Sequence, residues 1–168
     1  FFDEQRMSRL YEKFILEYYR KEHPRLNASA SFIDWALDDG VSDGLPAMRS
    51  DITLSARGHV LIIDAKYYAS TMQSNFDKRT VHSGNLYQIF AYVKNKQIAF
   101  EQAGESVEVS GMLLYAATDE DIQPDATYRM SGNRISATTL DLDRPFEEIH
   151  AQLDGIAALL TAPSGGEP

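Results

Sequence analysis

Asp64 and Lys66 stand two residues apart at the end of an apolar run, Val60-Leu-Ile-Ile-Asp-Ala-Lys-Tyr-Tyr68. Alternate side chains of a β-strand share a face, so carboxylate and ammonium project together, in company with Ile62 and Tyr68. Leu61, Ile63, Ala65 and Tyr67 face the other way. A carboxylate and an ammonium fixed at the end of a strand can act as metal ligand and charge stabiliser. Upstream, Asp51 lies in a second apolar run, 48–54. The two runs are joined by Ala56-Arg-Gly-His59, a connection whose length and glycine predict a hairpin. Such a hairpin brings Asp51 close to Asp64. In that second run Arg49, Asp51 and Thr53 are expected on one, polar face, and Met48, Ile52 and Leu54 on the other.

The remaining elements must hold this pair in place. Met7, Leu10, Tyr11, Phe14, Ile15 and Tyr18 recur at three- and four-residue spacing, which predicts an amphipathic helix over about 4–22, closed by His23-Pro24. Glu12 and Glu17 fall off the centre of that stripe; each reads as a solvated side chain, the sharper alternative being a glutamate leaning over a metal site. Residues 28–37 read as a strand, and the acidic loop after it lacks calcium-binding spacing. Residues 69–81 are a polar connection carrying Lys78 and Arg79, expected to be mobile and to face the substrate. A second helix over about 83–100 has Leu86, Ile89, Phe90 and Val93 as its buried stripe. Gln88 and Tyr92, four apart, address a common object. A nearly continuous apolar strand, 107–117, suits a sheet interior. A hairpin around Ser131-Gly-Asn133 and a last helix from Pro145 follow, with Phe146, Ile149, Leu153, Ile156 and Leu160 on one side. Residues 163–168 read as a flexible tail.

Composition sets the outer limits. The 168 residues suit one domain, here 1–162, and 43 % hydrophobic content with 8 Phe and 9 Tyr supplies a core. No apolar run reaches the roughly 20 residues of a membrane span. The absence of cysteine rules out disulfides and thiolate metal sites and fits a cytoplasmic protein. The net charge of −9 runs against nucleic-acid binding, which usually shows a basic excess. The chain opens Phe1-Phe2-Asp3, which suggests a piece of a longer protein.

Helix, three strands, helix and strand in that order, with Asp51 on the second strand and Asp64-Ala65-Lys66 on the third, resemble the PD-(D/E)xK nucleases. The expected fold is α/β: a mixed central sheet flanked by helices in α-β-β-β-α-β order, with an added C-terminal hairpin and helix. Two carboxylates and a main-chain carbonyl are hard oxygen ligands suited to Mg²⁺. A metal there polarises a scissile phosphate and lowers the pKa of water, while a lysine orients that water or stabilises developing charge. Gln88-Ile-Phe-Ala-Tyr92 resembles the element that follows the lysine in RecB-type members.

Longer strings narrow the resemblance. Leu45-Pro-Ala-Met-Arg-Ser-Asp-Ile-Thr-Leu54, Leu61-Ile-Ile-Asp-Ala-Lys-Tyr-Tyr68, Asn85-Leu-Tyr-Gln-Ile-Phe-Ala-Tyr92 and the opening Leu10-Tyr-Glu-Lys-Phe14 are similar to the nuclease domain of the McrC family, from about Met7 to Leu160. McrC is the endonuclease subunit of the McrBC system, which restricts DNA carrying modified cytosine. The resemblance implies Mg²⁺-dependent cleavage of double-stranded DNA, with Mn²⁺ able to substitute. An McrB-like AAA+ GTPase would be the partner, engaged through parts of the full-length protein absent from this chain. By position, Asp51, Asp64 and the Ala65 carbonyl would hold metal, Lys66 would be the catalytic lysine, and Gln88 and Tyr92 would position the substrate. Ser50-Asp51 stands where the superfamily usually has Pro-Asp. Two strands must be cut, so pairing of nuclease domains is expected. The alternatives are a non-catalytic module that docks the GTPase or self-associates, and a stand-alone RecB-like nuclease.

Overall fold

A computed structural model of the chain describes residues 2–68, 72–75, 78–120 and 123–162, without the side chains of 2 and 72–79. The first helix, α1 (Phe2–Glu22), runs to a one-turn 3₁₀ helix at Pro24–Leu26. A short ribbon follows, β1 (Phe32–Ile33) antiparallel to β2 (Met48–Arg49). Next come β3 (Ile52–Ala56) and β4 (His59–Lys66), a small ribbon β5 (Met72–Asn75) with β6 (Lys78–Val81), and α2 (Ser83–Gln102). The chain closes with β7 (Glu108–Ala116), β8 (Ala126–Met130), β9 (Asn133–Leu140) and α3 (Phe146–Thr161).

The main sheet has the order β3-β4-β7-β9-β8. β4, β7 and β9 run parallel at its centre, and an antiparallel strand closes each edge. Parallel strands need covered faces, and β4 and β7 are accordingly almost wholly buried. Helices α1 and α3 pack on one face around Tyr11, Ile15, Tyr19, Ile63, Leu114 and Leu153. Helix α2 packs on the other around Ile62, Ile89, Val93, Val109 and Leu113. β4 divides as its alternation requires: Leu61, Ile63, Ala65 and Tyr67 go to the α1/α3 side, and Ile62 and Tyr68 to the α2 side.

Three expectations are corrected. Only Phe32–Ile33 of the segment 28–37 is a strand, joined to β3 by one further bridge, Ser29 to Thr53. The run 48–55 is broken between Arg49 and Ile52. The amide of Ser50 donates to the Ser31 carbonyl, whereas Ser29 exchanges both backbone bonds with Thr53. Between those contacts the first segment advances two residues and the second three, which is a β-bulge at Ser50-Asp51. An extra residue reverses the alternation, so Met48 joins the α2 core while Ile52 and Leu54 join the opposite one. In α1 the buried stripe is Tyr11, Ile15, Tyr18 and Tyr19, whereas Met7 and Leu10 are exposed. Phenolic hydroxyls fix that helix, because Tyr11 donates to the Leu114 carbonyl and Tyr19 to the Leu153 carbonyl.

The expected substrate-facing role of 69–81 falls largely outside the described residues, including the side chains of Lys78 and Arg79. The tail 163–168 lies outside them altogether. Among the described residues no helix is long and apolar enough to cross a membrane.

Candidate active site

Asp64 and Lys66 end β4 on the face that α2 covers. The β3–β4 hairpin forms with Ile52 opposite Ile63 as its last pair and a turn at Arg57-Gly58. Gly58 takes a φ of +70°, a left-handed value that glycine adopts without steric cost. One position beyond that last pair, the bulge turns the Asp51 side chain across the strand end. There its Oδ2 accepts a 2.8 Å hydrogen bond from the amide of Ala65. Amide and carbonyl of one strand residue point to the same side, so the Ala65 carbonyl also faces the edge where β3 pairing has stopped.

Ser50 anchors the bulge just before Asp51. It is 2 % exposed, its hydroxyl lies 2.6 Å from that of Thr53, and it accepts from the amide of Ser31. These bonds tie down the bulge from inside, and Asp51 is left to point outward.

Asp64 is 4 % exposed. Its Oδ2 lies 3.1 Å from Lys66 Nζ, an ionic contact without the direction of a hydrogen bond, so this buried oxygen has no hydrogen-bond partner. Lys66 Nζ donates instead to Gln88 Oε1 at 3.2 Å, and Gln88 Nε2 donates to the Tyr92 hydroxyl at 2.9 Å. Gln88 and Tyr92, expected to address a common object, are hydrogen-bonded to each other, and of the two Gln88 reaches Lys66.

The electrostatics follow from burial and crowding. Burial raises the Asp51 carboxyl well above the usual carboxylate range, with the Asp64 carboxyl and the more distant Glu12 adding to it and the Ala65 amide opposing. Burial is the largest influence on the Lys66 ammonium and works against it, but Asp64, Tyr68 and Asp51 together outweigh it and the net shift is upward. Glu12 on α1 is half-buried, and its carboxyl is raised by burial and then by Asp64, with Lys66 and Arg9 pulling the other way. The glutamate set aside as a solvated side chain thus leans toward the site, whereas Glu17 is exposed and pairs with Arg20.

Sequence reasoning missed a second polar chain. The Tyr68 hydroxyl donates to Asn85 Oδ1 at 3.1 Å, and Asn85 Nδ2 donates to the Tyr115 hydroxyl at 2.9 Å. Asn85 falls three residues before Gln88 and seven before Tyr92, one helical face, and that spacing was the available signal. Tyr115 is the register partner of Lys66 on β7. α2 comes this close because Gly111 of β7 lies beneath it: a Cβ there would meet Val93 Cγ2 at 2.6 Å and Ile89 Cγ1 at 2.8 Å.

Among the described residues no group of three Asp, Glu or His side chains converges tightly enough to hold a metal unaided. The donor set nevertheless suits a hard divalent cation: two facing carboxylates, one with a buried oxygen that makes no hydrogen bond, beside a carbonyl at an unpaired strand edge.

Fold and site together define an α/β protein with a carboxylate-lysine centre at the open end of its central parallel strands. Residues 5–116 match the model of the McrBC 5-methylcytosine restriction system component family, a span that holds α1 through β7 and every residue of the site. The chain belongs to this family, and the McrC resemblance of its strings is borne out. It is 32 % identical over 154 residues to the type IV methyl-directed restriction enzyme EcoKMcrBC of Escherichia coli K12. That alignment takes in 90 % of this chain and 42 % of the relative, so the chain spans less than half the length of the protein it matches.

Proposed function

We propose that this chain is a PD-(D/E)xK-type endonuclease domain that hydrolyses DNA phosphodiester bonds with Mg²⁺, as the cleavage part of a GTP-dependent restriction system acting on DNA with modified cytosine. The observation that carries this reading is the meeting of Asp51 and Asp64 at one strand end, with the buried Asp64 Oδ2 in ionic contact with Lys66. Asp51, Asp64 and the Ala65 carbonyl would hold the cation, with Glu12 near enough to share their field. Bound there, Mg²⁺ supplies Lewis-acid polarisation of the phosphate and a lowered water pKa.

The protein's own groups do the rest. Ala65 N–H holds the Asp51 carboxylate in one orientation. Gln88 and Asp64 hold Lys66 Nζ in a charged, directed state, and Tyr92 fixes the Gln88 amide. An ammonium so restrained can steady the attacking water or donate to a phosphate oxygen as charge develops, without reorganisation cost at that moment. The resemblance to McrC and the EcoKMcrBC relative support an McrB-like GTPase as partner and double-stranded DNA as substrate. The net charge of −9 favours the competing reading, a docking module without activity.

One experiment separates the two. In the full-length protein assembled with its GTPase, Asp64→Ala and Lys66→Ala should each lower cleavage of modified-cytosine DNA about 100-fold or more while circular dichroism is unchanged. Calorimetry should show Mn²⁺ binding that Asp64→Ala abolishes. Wild-type cleavage by either variant, or no Mn²⁺ uptake by the native protein at millimolar concentration, refutes the nuclease reading.

A further inference from the structure

A cleft of about 310 Å³ opens between α1 and β2 and ends at Asp51. Arg9 and Lys13, one turn apart on α1, line it from one side, and Arg49 of β2 lines it from the other. In a chain of net charge −9, three cations have been gathered at the mouth of the carboxylate site. All three are exposed, and among the described residues none makes a salt bridge. Arg9 lowers the Glu12 carboxyl only from a distance. Arg49 is held in place, because its guanidinium lies 5.2 Å from the ring centroid of Phe32, itself 65 % exposed. An arginine stacked on an aromatic ring keeps its donor edge free and loses little entropy on binding an anion.

We propose that Arg9, Lys13 and Arg49 form the backbone-binding track of this domain, seating the phosphates that flank the scissile one and feeding the strand past Asp51. This rests on the nuclease reading above and adds to it which side of the site the DNA strand occupies. It also bears on an acidic protein acting on a polyanion: three exposed cations, alongside Glu12, line the cleft where the strand runs. Phosphate contacts fix register on the duplex without reading sequence. They are therefore positioning residues, distinct from the carboxylates and Lys66.

Salt dependence measures such contacts directly, since each phosphate neutralised adds about 0.9 to the slope of log Kobs against log salt. The test uses the full-length protein with its GTPase and a fluorescent 40-base-pair duplex in Ca²⁺, with cleavage assayed separately in Mg²⁺. Arg9→Gln/Lys13→Gln, both on the exposed face of α1, should lower the slope by about 1.8, and adding Arg49→Gln should bring the loss to about 2.7. Cleavage at physiological salt should fall at least about 10-fold and recover at low salt. Phe32→Ala should weaken binding in the same direction as Arg49→Gln, and Arg49→Lys should retain part of the slope. An unchanged slope and unchanged cleavage in the double and triple variants, with Asp64→Asn inactive in the same preparation, overturns the track and leaves the nuclease reading standing. If Asp64→Asn also cleaves as wild type, the underlying reading fails and the track with it.

Discussion

The two faces of the central sheet are built on opposite principles. The face under α1 and α3 is apolar, and of the tyrosine hydroxyls that enter it Tyr11 ends on a carbonyl of β7 while Tyr19 and Tyr18 end on the Leu153 carbonyl and the Asp154 carboxylate of α3. The face under α2 is equally apolar toward Val60 and Val109 but turns polar at the other strand end. There Lys66, Gln88 and Tyr92 form one chain, and Tyr68, Asn85 and Tyr115 a second. Fully satisfied polar networks specify one arrangement, and a half-satisfied one costs stability. Among the described residues Asp64 Oδ2 on this face has only its ionic contact with Lys66, and His150 Nε2 of α3, on the other face, is likewise without a hydrogen bond. One side of the sheet packs two helices against it, and the other carries a connected polar network at its strand end.

A pair of substitutions on one strand breaks the comparison most strongly. Leu114 and Gly111 both belong to β7 and face opposite ways. Leu114→Ala leaves a cavity under α1 and should cost about 3 kcal/mol in denaturant melts, with activity per folded molecule retained. Gly111→Ala forces α2 outward at Ile89 and Val93 and should cost about 2 kcal/mol by overpacking. Its smaller cost should bring the larger catalytic loss, because Gln88 is adjacent to Ile89 and moves with it. Equal activity per folded molecule in the two variants would refute the division of labour.

Asp51→Asn gives a smaller shift of opposite sign. The amide keeps an oxygen for the Ala65 N–H and matches the neutral form that burial and Asp64 already favour, without the cost of holding a carboxyl away from its ordinary ionised state. Measured in chelator, the variant should be more stable than the native protein by about 1 kcal/mol, since relieving a strained site commonly stabilises. Millimolar Mn²⁺ should then raise the melting temperature of the native protein by mass action and leave the variant unmoved. A variant that melts lower in chelator would show that the carboxylate pair is no burden to the fold.

How much of this was legible depended on the range of the interaction. β4 was readable because one strand's alternation decides where Asp64, Lys66, Ile62 and Ile63 point. The hairpin was readable from its glycine-containing connection, and the Ser131-Gly132 turn declared itself in the same way. Asp51 was readable by type and distance, but its aim was not: a bulge is set by what Ser29, Ser31 and Ser50 bond to across the ribbon, and no periodicity reports that. Tyr19 and Glu12 failed for a related reason. Spacing identifies a helical stripe, yet its centre is chosen by the partners, here Leu153 on α3 and the strand end holding Asp64. Asn85 carried its signal in plain spacing, and only the more familiar Gln-x-x-x-Tyr pattern drew attention away from it.

The smallest effect tests whether the structural face carries any titration of its own. Asp154 on α3 accepts a 2.5 Å hydrogen bond from the Tyr18 hydroxyl and lies 2.7 Å from His23 Nε2, so one carboxylate joins α3 to both ends of the α1 turn. The Tyr18 bond first, and then His23, hold its carboxyl below the ordinary value. A depressed carboxylate contributes stability above its unfolded pKa, near 4, and that contribution is lost as pH falls through the folded value. Asp154→Asn should therefore lower stability slightly from pH 5 to 7 and flatten the acid limb of the melting profile below pH 4. Cleavage at pH 7 should not change, because this carboxylate lies on the α1/α3 side, away from the Lys66 network. A loss of cleavage without a loss of stability would mean that the two faces are coupled through α1, and that Glu12, on the same helix, transmits it.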